Sequence, residues 1–185
     1  MSTDEGPCAA PARPPVGVLL GVDVGEARVG LAASDAIGLL AHPVATLRRD
    51  HEGESDLDQI AAEIGHRAAV GVVVGLPRGL SGAEGVAAER ARHYAMALQR
   101  RVEVPVRLWD ERLTTVDAHR VLRSSGVAGR EQRGVVDQAA AVLILQAALD
   151  ARRAGRPAGV PLKRRKPRTP KVRPDVRTDT HESSS

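Results

Sequence analysis

The sequence predicts an α/β domain built on a mixed five-stranded sheet, antiparallel through strands 1-2-3 and parallel through 1-4-5, with helices on its faces. Two observations lead there. Three short apolar or β-branched runs follow one another before residue 48 with only brief breaks, the pattern of an antiparallel meander. Two further apolar runs, at 70–76 and 104–109, each follow a segment of helical periodicity, which calls for right-handed crossovers and parallel pairing.

Each element has its own warrant. Gly17–Val24 and Arg28–Ser34 are apolar runs joined by the turn Gly25-Glu26-Ala27, which reads as a β-hairpin. His42–Leu47 has a β-branched centre and makes a third strand. Leu57, Ile60, Ala61 and Ile64 fall at helical spacing and predict a helix over Ser55–Ala69. Val70–Leu76 is nearly all apolar, as a strand buried on both faces should be. Ala83–Arg101 reads as a second helix, Val104–Trp109 as the fifth strand. Thr114 or Thr115 can cap a third helix reaching Ser124, and Glu131–Ala154 is a long Ala/Leu-rich helix.

The flanks differ in kind. Residues 1–15 are rich in Ala and Pro and read as a disordered arm, 16–154 as the folded domain. Residues 155–185 hold nine Lys and Arg against three Asp and Glu and almost no large apolar side chains, and read as a disordered basic tail. The chain's net charge of +4 thus divides into a body near −2 and a tail near +6. Nonspecific attraction to nucleic acid would come from the tail.

Composition excludes several classes. With one Trp, one Tyr and no Phe, the chain lacks the surface aromatics of base-stacking folds. The lone Cys8 cannot form an internal disulfide or a structural zinc site. No apolar run is long enough for a membrane span, and the acidic, Pro-rich start does not resemble a signal peptide. The expectation is a cytoplasmic protein.

Three acids are placed to converge. Asp23 sits inside an apolar strand, where a carboxylate is costly unless it is paired or bound to a cation. The plainer alternative is a turn cap or an ion pair with Arg28. Asp110-Glu111 follows the fifth strand directly, so it emerges at the same sheet edge as Asp23, where open α/β sheets bind ligands. The alternative for Glu111 is a surface pair with Arg112. Asp137 lies near the start of the last helix, on a face continued by Ala140, Ala141 and Ile144. Its alternative is a first-turn residue favoured by the helix dipole. With no Cys and few His nearby, such a site is all oxygen, which suits Mg²⁺ or Mn²⁺ and phosphoryl chemistry. Arg28, Arg78, Arg112, Thr114 and Thr115 are the candidates to hold substrate phosphates.

Four stretches, DVGEARVGLAASD, VVVGLPRGLSG, WDERLTTVDA and VVDQAAAVLIL, resemble in order the signature blocks of the YqgF (RuvX) family and span roughly Gly17 to Leu149. The resemblance implies an RNase H-like fold related to the junction resolvase RuvC. It implies catalytic, metal-binding acids at Asp23, Glu111 and Asp137. It also implies a nuclease that matures the 5′ end of pre-16S ribosomal RNA, or one that resolves Holliday junctions. RuvC-type enzymes carry a fourth acid one turn after the third; here that position is Ala140, so a two-metal site would need Asp110 or a water.

The expected partners are pre-rRNA or branched DNA and ribosomal precursor particles, with no membrane and a monomeric or homodimeric chain. Junction resolution needs paired cuts and therefore a dimer. An actin-like ATPase or sugar kinase shares the hairpin but needs two such domains, and the chain supplies one. A noncatalytic ribosome-assembly factor is the remaining alternative.

Overall fold

A computed structural model describes residues 17–78, 85–113 and 130–162, with the backbone alone over 130–135. Its elements are β1 (Leu19–Val24), β2 (Arg28–Ser34), β3 (Ala41–Arg48), α1 (Ser55–His66), β4 (Gly71–Leu76), α2 (Val86–Arg101), β5 (Val106–Asp110), a 3₁₀ turn (Glu111–Leu113), α3 (Arg130–Arg153) and β6 (Val160–Pro161). The sheet order is β3-β2-β1-β4-β5-β6. β1–β2 and β2–β3 are antiparallel, β1–β4 and β4–β5 parallel. This is the expected RNase H-like arrangement.

The two sheet faces follow from strand alternation. Leu20, Val22, Val29, Leu31, Val72, Val74, Val106 and Leu108 point to one face, where they pack with α1 and α2. Leu19, Ala32, Val73 and Trp109 point to the other, where Ala141, Ile144, Leu145 and Leu149 of α3 cover them. β4 is buried along its whole length, so it reads as apolar at every position instead of alternating.

Three expectations change. The sheet has six strands, not five. Residues past Ala154, read from composition as tail, turn back through Gly155 and Gly159, both at positive φ, and lay Val160–Pro161 against β5. Arg156 N–H reaches Ala151 O at 2.9 Å, closing the end of α3, and Leu162 N–H reaches Val106 O at 3.0 Å. Secondly, α1 stops at His66, not Ala69. Ala68 takes a left-handed conformation (φ 46°), and Ala69 N–H bonds back to Ile64 O at 2.9 Å, so the apolar period outlasts the helix. Thirdly, Asp137 lies in the third turn of α3, too far in for a first-turn dipole role. The expected helix from Thr114/Thr115 to Ser124 and the arm 1–15 lie outside the described residues, as do 163–185 of the tail.

Candidate active site

Asp23 is the penultimate residue of β1 and shares the parity of Leu19, so it faces α3. Its neighbour across the hairpin is Gly30. A Cβ on Gly30 would overlap the backbone carbonyl of Asp137, so only glycine lets α3 settle this close to β2. That close approach brings the Asp137 backbone beside Asp23's strand neighbour. The hairpin turn is closed by Gly25 N–H donating to Arg28 O at 2.9 Å.

Arg28, the first residue of β2, has the same parity as Gly30 and also faces α3. Its Nε donates to Asp137 Oδ2 at 2.8 Å, with both side chains partly exposed. The expected alternative paired Arg28 with Asp23; the structure gives it Asp137.

On the far side of β1, β5 ends at Asp110 and Glu111 opens the 3₁₀ turn. Alternation assigns them to opposite faces. Trp109 packs with α3, and Glu111, two residues on, returns to that face. Its buried Oε1 lies 2.9 Å from where a Cβ of Gly75 would stand, on the β4 position that meets Ile144 of α3. Asp110 is cross-strand from Leu76 and belongs to the α1–α2 side.

Asp110 organises arginines. Arg112 donates to it from its backbone N–H at 3.0 Å, from Nε at 3.0 Å and from Nη2 at 2.7 Å. Arg78 Nη1 lies 3.6 Å away. The Arg112 hydrogen bonds hold the Asp110 carboxyl below the usual carboxylate range, against the opposing effect of partial burial. Arg112 therefore pairs with Asp110, whereas the sequence offered Glu111 as its partner. Thr114 and Thr115 lie outside the described residues.

Asp23, Arg28, Glu111 and Asp137 thus share one sheet face, and the donor set is carboxylate oxygen, the chemistry of a hard divalent cation. As they stand, however, among the described residues no group of three or more His, Cys, Asp or Glu lies together closely enough to hold a metal ion. Arg28 occupies Asp137 instead. The sequence gives no signal for that ion pair, which joins residues 109 positions apart. Ala140, where RuvC-type enzymes carry their fourth acid, is buried.

With this geometry in place, a family model described as "RuvX: Holliday junction resolvase" matches residues 17–151. The chain belongs to the RuvX family. Relatives within reach of it include proteins of Kineococcus radiotolerans and Frankia casuarinae, each called "Putative pre-16S rRNA nuclease". The first is 56% identical over 144 residues, covering 77% of this chain and 77% of its own; the second is 55% identical, covering 77% and 71%. Among solved structures, Thermus thermophilus RuvC in complex with a Holliday junction substrate aligns at 17% identity and a TM-score of 0.47, over 79% of this chain and 99% of that one.

Proposed function

We propose that this RuvX-family protein is a nuclease that hydrolyses phosphodiesters with Mg²⁺ or Mn²⁺, and that it processes the 5′ end of pre-16S rRNA. The observation that supports the reading is that alternation turns Asp23, near the end of β1, and Glu111, just after β5, to the sheet face that α3 covers, while Asp137 of α3 is held there by Arg28 of β2. These three residues would hold the cation, Asp137 once Arg28 has left it. A bound ion supplies a Lewis acid for the scissile phosphate and the attacking water. Arg28, once released, offers a planar guanidinium fork that matches a phosphate. Arg78, Arg112, Thr114 and Thr115 are the further candidates for phosphate contact. The RNA substrate is supported by the names of the 55–56% identical relatives.

Cleavage of a four-way DNA junction is the second reading, favoured by the description of the family model. It requires two active sites acting together, hence a homodimer. The working location under either reading is the cytoplasm, with ribosomal precursor particles as partners under the first. Among the described residues no helix is long and apolar enough to cross a membrane. The test is cleavage of a pre-rRNA fragment and a four-way junction side by side, with Mg²⁺, Mn²⁺ and EDTA. Metal-dependent cutting of the RNA alone is the expected result. Cutting of the junction alone moves the chain to the second reading, and binding without cutting makes it an assembly factor.

A further inference from the structure

On the sheet face away from α3, the β3–α1 loop and α2 enclose a cleft of about 430 Å³. Its floor is a buried network. Asp56, at 1% exposure, accepts a hydrogen bond from Tyr94 OH at 3.0 Å and pairs with Arg49 Nε at 3.1 Å. The Arg49 guanidinium lies 4.5 Å from the Tyr94 ring centroid, a cation–π contact that fixes its plane. Burial, with the Asp56 charge beside it, pushes the Tyr94 hydroxyl well above its usual range, so it remains a donor.

The carboxylates of the cleft are mostly committed elsewhere. Asp56 is held as described. Asp50 accepts from Gly53 N–H at 2.8 Å and Ser55 OH at 2.8 Å, and Glu54 pairs with Arg101 Nη1 at 2.8 Å. Glu89 is the exception, exposed on the rim. Of the cations, Arg49 is held through Nε by Asp56, but part of its guanidinium is left over. Arg49 Nη1 is buried and has no hydrogen-bond acceptor among the described residues. Arg90, His93 and Arg100 line the same cleft from one face of α2, at helical spacing, and none of them meets a carboxylate among the described residues. Arg90 and Arg100 are separated by roughly 15 Å along the helix axis, enough to follow a strand past more than one phosphate.

We propose that this cleft is a second nucleic-acid contact, in which Arg90 and Arg100, with Arg49 behind them, take backbone phosphates of a strand whose scissile bond lies at the opposite sheet face. Arginine suits the role because its fork matches phosphate oxygens and never loses its charge. Such contacts position a strand without reading its sequence. The contact rests on the proposed nucleic-acid substrate, but on none of the residues proposed for cleavage.

The test titrates a short single-stranded RNA against full-length wild type, Arg90→Gln/Arg100→Gln and Arg90→Lys/Arg100→Lys, at two salt concentrations. The Gln pair should bind about tenfold more weakly, with a salt slope shallower by about 1.4, as expected for two lost phosphate contacts on a single strand. The Lys pair should recover most of both, and thermal midpoints should not change. Millimolar inorganic phosphate should shift the His93 imidazole resonances in wild type and not in the Gln pair. Equal affinities and slopes across the three proteins would overturn the contact while leaving the cleavage site standing. A phosphate response without any change in RNA binding would also overturn it, making the cleft a pocket for small anions. Wild type that fails to bind RNA at all would instead bring down the nucleic-acid reading, and this contact with it.

Discussion

Arg28 Nε and Asp137 Oδ2 are 2.8 Å apart, a contact between the start of the second strand and the third turn of the last helix. The guanidinium stands where the proposed function requires a metal ion to compete for the same carboxylate. Arg28→Gln should therefore raise Mn²⁺ affinity by about two- to fivefold, the worth of a partly exposed ion pair. Electron paramagnetic resonance of free Mn²⁺ reads this directly. Unchanged or weaker binding would mean that Arg28 organises the site and does not compete for it.

Asp23→Asn should abolish cleavage and keep the fold. The change is nearly isosteric and removes the charge proposed to hold the ion. The apo protein should be as stable or slightly more so, because carboxylates sharing a site repel one another. A variant that cuts at the wild-type rate removes Asp23 from the mechanism.

Glu111→Gln should lose activity, whereas Asp110→Asn should retain much of it, since alternation turns Asp110 away from α3. Asp110→Asn should instead loosen Arg112 and Arg78, visible as a higher KM at similar kcat. The reverse ranking of the two variants would exchange their roles.

Gly30→Ala should destabilise the protein by about 1–3 kcal/mol, because the new methyl meets the Asp137 carbonyl and neither backbone can give cheaply. Denaturant midpoints measure the loss. Activity should fall with it, since relief of the clash moves Asp137.

Acid should weaken the fold through two partly buried carboxylates. Asp50 is held down to about 2 by the Gly53 N–H first and the Ser55 hydroxyl second, and Asp110 is held low by Arg112. Each has a lower pKa folded than unfolded, so its contribution is complete above the unfolded value of about 3.9 and lost as pH falls through the folded one. Thermal midpoints should therefore drop between about pH 4 and pH 2, less steeply in Asp50→Asn. A parallel profile for that variant would show that Asp50 carries none of the effect.

Much of this was legible in the residues. β4 announces itself by being apolar throughout, whereas the choice of Glu111 over its neighbour Asp110 comes from the family resemblance, since alternation says only that the two point to opposite faces. What was not legible has physical causes. The apolar period of α1 runs on through Ile64 to Ala69, but Ala68 turns left-handed, and no side-chain pattern encodes that. β6 is two residues long, among Gly, Pro and Arg, a composition that also describes an unfolded tail. The Arg28–Asp137 pair depends on how deeply α3 settles on the hairpin, which Gly30 permits but spacing alone cannot reveal.

That two-residue strand has an effect out of proportion to its length. β5 carries Val106, Leu108 and Trp109 at the margin of the sheet, and an apolar strand with open backbone groups is a template for another chain to add to. Val160–Pro161 covers that edge, and Pro161 has no N–H to offer to a further strand. The sheet therefore ends itself on this side. Cutting the chain after Ala154 should leave an aggregation-prone edge, while cutting after Leu162 should leave a protein that stays dispersed, a difference light scattering on warming would record.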